Sequence, residues 1–357
     1  MSVSSASVPG VRVSGICACV PSREIDNATY CASLFGDDID GAIKTTGAER
    51  RRVCTEGKTT SLDLCRTAAE ALLSASATER ASIGAIIFVT QTPDFLLPNN
   101  STHIQTLLDI PASVAAFDVN LACSGYPYGL WVAGMCARSL GKKVLLLDGD
   151  THSHFVSRFD KTTALLFGDA GTATLIEASD DEGAPWVFSF DTDGTHHEAL
   201  KIPAGGYRNR VTRECMEYAE RADGGRRREI DMRMDGMDVF SFVVRNVPDN
   251  ITQVLAASSN APGAVDYLVL HQANRFMIRQ IAKKLGFPPE KVPVSIHKYG
   301  NSSSATIPVT LCSELHRTLE QEEKNYVLSG FGAGLSIASV SLTIGPCVCP
   351  GVVEYVE

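Results

Sequence analysis

Short apolar runs recur along the chain at Ala85–Val89, Val114–Val119, Val144–Leu147, Tyr267–Leu270, Val292–Ile296 and Tyr326–Leu328. Without alternation of apolar and polar positions, they have the pattern of strands covered on both faces. The longer stretches between them predict helices over Leu62–Ala75, Thr102–Leu108, Ser124–Ser139, Met277–Leu285 and Ala305–Leu319. Strands alternating with helices predict an α/β class with much parallel sheet.

The order of these elements repeats. "AIIFVTQTPD" leads to a helix, then "VAAFDVN", Cys123, an uncharged helix and "KVLLLDGD"; "DYLVLHQANR" leads to a helix, then "KVPVSIHKYGN", a small-residue helix and "KNYVLSGFGAG". This predicts two similar α/β halves, residues 1–180 and 181–357. The second helix of each unit lacks a charged residue between Gly125 and Cys136 and again from Ser302 to Cys312. A helix that is apolar all round is a buried one. Residues 194–234 break the pattern: charged and punctuated by glycine, they predict an insertion between the halves, partly helical around Glu214–Ala222.

Composition narrows the function classes. At 357 residues and 44% apolar content the chain can bury a large core. A net charge of −9 argues against nucleic-acid binding by phosphate neutralisation. No run approaches the ~20 apolar residues of a membrane span, and "MSVSSASVPGVRVSG" lacks the basic start and apolar region of a signal peptide. Eleven cysteines are scattered without a CxxC pair or zinc spacing, so no metal site is expected and a cytoplasmic protein with reduced, buried thiols is the simplest reading.

Three polar residues stand out against this background. Cys123 falls just before a helix, where the free N–H groups and partial positive charge favour a thiolate. His271 ends an apolar strand, and Asn301 sits between a glycine and a buried helix, a position that suits an N-cap as well as a site residue. "SGFGAG" at 329–334 reads as a flexible glycine turn, without the lysine of a phosphate loop. The run Arg50-Arg51-Arg52 reads as surface charge. Each residue alone reads more readily as a packing or capping residue; together they form a Cys, His, Asn set, one after each strand of two related units.

"DVNLACSGYPYGL", "LHQAN", "KYGNSSSATIP" and "GFGAG" closely resemble the signature segments of the β-ketoacyl-acyl-carrier-protein synthase III family, in the thiolase-like superfamily. The resemblance runs from "VRVSGICACVPSREIDN" to "GFGAGLSIASVSL", and "IPAGGYRN", "MDGMDVFSF" and "CPGVVEYVE" are most similar to a subgroup found with bacterial surface-polysaccharide genes. It implies a thiolase-like fold with two halves packed in five layers (αβαβα), a homodimer, and the triad Cys123, His271 and Asn301. It further implies an acyl-cysteine intermediate, an oxyanion held by the backbone N–H groups of Cys123 and Ala333, and a decarboxylative Claisen condensation with a malonyl thioester. Substrates would arrive on acyl carrier protein or as acyl-CoA, and no cofactor is implied.

The same resemblance places Asn274 and Gly236 on the pantetheine arm, Phe240 and Leu97 near the acyl pocket, and Lys161 on CoA. Gly41 and Thr45 replace a tryptophan and an arginine that grip the CoA nucleotide in housekeeping members. Arg275, Arg279 and Lys283 recur every four residues and would line one helix face, a docking stripe for acidic carrier protein or a solvated face. Two other readings remain open on sequence: an acyltransferase of the same fold that passes its acyl group to an alcohol or amine, and a non-catalytic partner subunit.

Overall fold

Residues 4–180, 183–222, 224–258 and 262–357 are described by the structure, a computed structural model. The principal strands are β1 (Ser4–Val8), β2 (Val11–Pro21), β3 (Ile83–Val89), β4 (Ala115–Val119), β5 (Lys143–Asp150), β6 (Ala170–Ala178), β7 (Trp186–Thr192), β8 (Tyr267–Leu270), β9 (Lys324–Gly332), β10 (Ser336–Ile344) and β11 (Val348–Tyr355). The main helices are α1 (Ile39–Thr46), α2 (Ser61–Ala75), α3 (Asn100–Leu107), α4 (Gly125–Leu140), α5 (Gly236–Ala257), α6 (Arg275–Leu285), α7 (Thr306–Glu314) and α8 (His316–Gln321).

The strands form two mixed sheets, ordered β11-β2-β6-β5-β3-β4 and β1-β7-β10-β9-β8. From β2 to β3 the first sheet has two antiparallel pairs and then a parallel one. From β7 to β8 the second sheet has the same succession. The repeat read from the sequence is thus a repeat of topology, although antiparallel pairs are more numerous than expected. The sheets also exchange strands across the chain: β11 lies parallel to β2, and β1 lies antiparallel to β7. The spatial halves therefore differ from residues 1–180 and 181–357 by these two strands; residues 181 and 182, at that boundary, lie outside the described ones.

The helices carrying the two uncharged stretches, α4 and α7, are sandwiched between the sheets. Leu130, Ala133 and Ala137 of α4, and Ile307, Val309 and Leu311 of α7, share one core with Val89, Leu146 and Ile176 of the first sheet and Val269, Leu328 and Val340 of the second. On the outer face of the first sheet, α2 packs Leu64, Ala68 and Leu72. On the outer face of the second lie Val243, Val247 and Ile251 of α5 and Ile278 and Ile281 of α6. The order helix, sheet, helix, sheet, helix gives five layers. All eleven cysteines are free thiols, and ten of them are buried.

Four local expectations are corrected. Val292–Ile296 is not a strand: Pro293 interrupts the run, removing a ladder donor, and the buried Gln272 side chain stands in for the missing pairing. Its Oε1 accepts from Ser295 N–H at 3.0 Å and its Nε2 donates to the Leu270 carbonyl at 2.8 Å. The helix expected over Ala305–Leu319 begins as a single 3₁₀ turn and breaks at Leu315 into α7 and α8. Among the described residues the excursion has no α-helix, only two 3₁₀ turns, Gly194–His196 and Glu214–Met216, and two ribbons, Leu200–Lys201 with Arg233–Met234 and Ala219–Glu220 with Arg226–Arg227. A buried ion pair at 2.8 Å between Arg227 and Asp160 anchors it to the body; its residue 223 lies outside the described residues. Finally, Arg51 is buried, as the site explains.

Candidate active site

β4 ends at Val119, and the chain turns through residues 120–124 into α4, which sets Cys123 at the helix N-terminus, 5% exposed. β9 of the other sheet crosses directly behind it. A Cβ at Gly332 would lie 2.8 Å from Cys123 Cβ and 2.9 Å from its Sγ; one at Gly330 would lie 2.6 Å from the Cys123 carbonyl oxygen. The first glycines of "SGFGAG" therefore serve close approach rather than flexibility: they belong to strand, and only Ala333 onward turns.

His271 follows β8, its backbone N–H donating to the Ser329 carbonyl at 2.9 Å and its ring set edge-on to Phe331. Nδ1 lies 2.7 Å from Thr306 Oγ1. That hydroxyl already donates to the Ser303 carbonyl at 2.9 Å and accepts from Gln272 N–H at 3.3 Å. Nδ1 is therefore the N–H donor, and Nε2 of the neutral ring carries the lone pair. Burial lowers this imidazole to about 3, so it is uncharged at neutral pH.

Asn301 comes after Gly300, which has φ +73° and approaches the Leu166 carbonyl too closely for a Cβ. The Asn301 N–H donates to Leu166 O at 2.8 Å, and its carbonyl accepts from Gly168 N–H at 3.0 Å. Asn301 Oδ1 accepts from Ser303 N–H at 2.9 Å, which is the expected cap and leaves the amide NH2 as donor. Arg51 braces this segment from behind. Its guanidinium, 3% exposed, donates to Phe167 O at 2.9 Å and to Asn27 Oδ1 at 2.8 Å.

The Cys123 thiol corrects an expectation. Burial pushes it up to about 12, with the Asp150 and Asp148 carboxyls adding to the rise, against the opposing pull of Ser303 Oγ at 3.9 Å and the Cys123 N–H. A helix N-terminus is worth roughly 0.3–2 kcal/mol, too little to reverse burial of this depth. Cys123 rests as a thiol.

Cys123, His271 and Asn301 line one cavity of about 420 Å3. Gly236, Phe240 and Asn274 line it too, although Asn274 Oδ1 is also occupied, capping α6 through Met277 N–H at 2.7 Å. A second chamber of about 250 Å3 also reaches Cys123 and includes Ala333. The remaining residues are elsewhere. Lys161 points its ammonium to the Phe35 ring, 5.5 Å from the centroid, and its neighbour Thr162 lines the cavity instead. Leu97 lines neither chamber of the single chain; it is 78% exposed beside Phe95 and Leu96. Arg275 pairs with Glu49 at 3.0 Å, so among the described residues only Arg279 and Lys283 of the basic stripe stand free on the surface of α6. Sequence reasoning missed Thr306, Ser303 and Arg51. The first two were within a quoted motif but read as helix filler; for Arg51, strand alternation sets it apart from its neighbours without saying which face is buried.

Residues 117–194 match the family model "3-Oxoacyl-[acyl-carrier-protein (ACP)] synthase III", and residues 255–344 match its C-terminal counterpart. A putative 3-oxoacyl-[acyl-carrier-protein] synthase 3 of Campylobacter jejuni is 32% identical over 97% of both chains. A β-ketoacyl-[acyl-carrier-protein] synthase III of Clostridioides difficile is 34% identical over 90% of this chain and 94% of its own. The crystal structure of a 3-oxoacyl-(acyl-carrier protein) synthase from Burkholderia xenovorans superposes with a TM-score of 0.92 at 37% identity, covering 99% of each chain. With this coverage, and with a thiolase-like fold throughout, the chain belongs to the 3-oxoacyl-[acyl-carrier-protein] synthase III family.

Proposed function

We propose that the protein joins an acyl thioester to a malonyl thioester by decarboxylative Claisen condensation, in two stages on Cys123. The observation that carries this reading is the convergence of Cys123, His271 and Asn301, from both halves of the chain, on one cavity. In the first stage His271 Nε2 takes the thiol proton as Cys123 Sγ attacks the acyl carbonyl, then returns it to the departing pantetheine thiolate. Both partners start neutral, so no buried charge pair has to be maintained at rest. The Cys123 and Ala333 N–H groups hold the tetrahedral oxyanion.

In the second stage the malonyl carboxylate leaves as CO2, and the Asn301 amide with a protonated Nε2 stabilises the enolate oxygen. The anionic malonyl group raises the imidazole's affinity for that proton, which comes from solvent. The enolate carbon attacks the acyl carbon, the Cys123 sulfur leaves, and the thiolate takes the proton from Nε2. One proton is consumed per CO2 released, and the resting thiol is restored.

Gly236, Phe240 and Asn274 are suited to the pantetheine arm, and the protein needs no cofactor of its own. The missing clamp at Gly41 and Thr45 favours delivery on acyl carrier protein, with Arg279 and Lys283 as its acidic partner's contacts. Three consecutive exposed apolar residues, Phe95–Leu97, suit the interface of a homodimer. No helix among the described residues is long and apolar enough to cross a membrane, which fits the cytoplasmic location proposed.

The test is intact-protein mass spectrometry with acyl-CoA and acyl-carrier-protein donors, followed by malonyl-carrier protein. An adduct on Cys123, absent in Cys123→Ala and discharged with CO2 release, is the expected result. An adduct discharged to alcohols or amines but not by malonyl thioester would overturn condensation, and no adduct with any donor would overturn both stages.

A further inference from the structure

One buried residue joins Cys123, His271 and Asn301. Ser303 N–H donates to Asn301 Oδ1 at 2.9 Å, and its own Oγ lies 3.9 Å from Cys123 Sγ. Its carbonyl accepts at 2.9 Å from Thr306 Oγ1, the hydroxyl that lies 2.7 Å from His271 Nδ1. Ser303 opens the 3₁₀ turn Ser303–Ala305 with φ +57°, a left-handed backbone that residues other than glycine adopt at a cost. Such a conformation persists only where its surroundings over-determine it, so the turn needs a holder.

The holder comes from the other half. On β5, Val144 and Leu146 belong to the core between the sheets and Leu145 and Leu147 to the core under α2, so alternation turns Asp148 toward the layer between the sheets. There Ser304 Oγ donates to Asp148 Oδ1, and both side chains are fully buried. Gly125 at the start of α4 leaves room for the pair: a Cβ there would lie 3.2 Å from Ser304 Cβ and 2.6 Å from Val89 Cγ1. Asp150, two residues on, has ordinary work, its Oδ1 accepting from Gln91 N–H at 2.8 Å and from the Thr90 and Thr92 hydroxyls at 3.1 Å each. The Asp148 carboxyl has only the Ser304 bond among the described residues, and its Oδ2 has no partner there. Burial, with Asp150 adding and the Ser304 bond opposing, pushes this carboxyl well above the usual range and keeps it the uncharged acid. An apolar side chain would fill the same place without the cost of burying a polar group.

We infer that Asp148 is a positioning residue for both half-reactions: through Ser304 it pins the Ser303–Ala305 turn, and the turn sets Cys123, His271 and Asn301 relative to one another. This deepens, and rests on, the condensation reading above. The bond joins the first sheet to the start of α7 one residue from Ser303, so it ties the two halves together where their triad side chains meet. The role requires an acceptor at Oδ1, not a charge.

The experiment compares Asp148→Leu, Ser304→Ala, the two combined and Asp148→Asn with the unaltered protein. Acylation of Cys123 and condensation are timed separately over a range of donor concentrations. Alkylation of Cys123 by iodoacetamide is followed by intact mass against a Cys123→Ala blank. In each single variant that breaks the bond, the maximal rates of both half-reactions are expected to fall about tenfold or more with KM within about twofold, because a displaced reacting group loses rate rather than binding. The combined variant should be no slower than the slower single one, since the two side chains act as one unit. Asp148→Asn keeps the acceptor and should restore the rate to within about threefold, and alkylation should follow the same order. Unchanged rates in both single variants, a combined loss equal to the product of the single losses, or Asp148→Asn as slow as the bond-breaking variants would each overturn the inference. If Asp148→Leu fails to fold, Ser304→Ala, which removes only a hydroxyl, decides against Asp148→Asn. Acylation by no donor in the unaltered protein would remove the condensation reading, and the alkylation series, which needs no donor, would still decide whether the Asp148–Ser304 bond sets the Cys123 thiol.

Discussion

The starts of α4 and α7 occupy matching places in the repeat, yet they are held in opposite ways. Cys123 follows a real strand, β4, and is fixed by what is missing around it: β9 passes so close that Gly330 and Gly332 have no room for a side chain. Asn301 has no strand before it, because Pro293 prevents one, and it is fixed by what is added: a backbone bridge to Phe167, an Arg51 brace from the other half, and a Gln272 amide that replaces sheet pairing. Cys123 is located by steric exclusion and the Asn301 amide by polar bonds. The repeated topology sets the two frames, but each end is finished with different physics.

The contrast can be broken at its steric end first. Gly332→Ala inserts a methyl 2.8 Å from Cys123 Cβ, so something must move. Acylation is expected to fall about 100-fold or more, as for a misplacement of roughly 1 Å, with a stability cost of about 1–3 kcal/mol; acylation kinetics and a thermal melt check both. The charge state common to both ends comes next. His271, held down from 6.5 to about 3, contributes stability that is complete above pH 6.5 and is lost as pH falls toward 3. Cys123, pushed up from 9.0 to about 12, contributes stability that is complete below pH 9 and is lost as pH rises toward 12. Stability is expected to plateau between these limits and drop by a few kcal/mol on each side. Denaturant titrations across pH, repeated on His271→Gln and Cys123→Ala, should flatten the acid and alkaline limbs respectively.

At the polar end, Arg51→Met removes donors to Phe167 O and Asn27 Oδ1. A loss of about 2–3 kcal/mol is expected, with condensation falling about tenfold more than acylation, because Asn301 moves and Cys123 does not. Separate rates for the two half-reactions decide it. The smallest effect belongs to Gln272→Leu, which orphans Ser295 N–H and Leu270 O. It should cost about 2 kcal/mol, measured by denaturant unfolding, and leave acylation of Cys123 nearly unchanged.

Much of this was legible in the sequence. Uninterrupted apolar runs gave β3, β5, β8 and β9 within a few residues, and the uncharged stretches of α4 and α7 gave their burial between the sheets. The motif resemblance brought Cys123, His271 and Asn301 to attention together, where composition would have left each in a packing or capping role. The errors have physical sources. Pro293 was visible inside its run and outweighs the valines on either side. The break at Leu315 has no proline or glycine to mark it and is set by tertiary packing. The thiol's protonation state depends on how deeply Cys123 is covered, which includes β9 from more than 200 residues downstream. Arg51 looks like its neighbours because burial of a guanidinium depends on acceptors far away in the chain.

The strand exchange between the sheets bears on how the chain acquires its shape during synthesis. The first sheet has its edge beside β2 closed only by residues 348–355, and the second begins with residues 4–8. Neither half can complete its sheet from its own stretch of sequence, so the first half to leave the ribosome, finished at Ala178, waits with an open β2 edge for some 170 further residues until Val348. At roughly 5–20 residues per second, that edge stays unpaired for about ten to thirty seconds. It is an exposed template for wrong pairing until the last strand arrives, and folding is thereby committed to the whole chain rather than to either half.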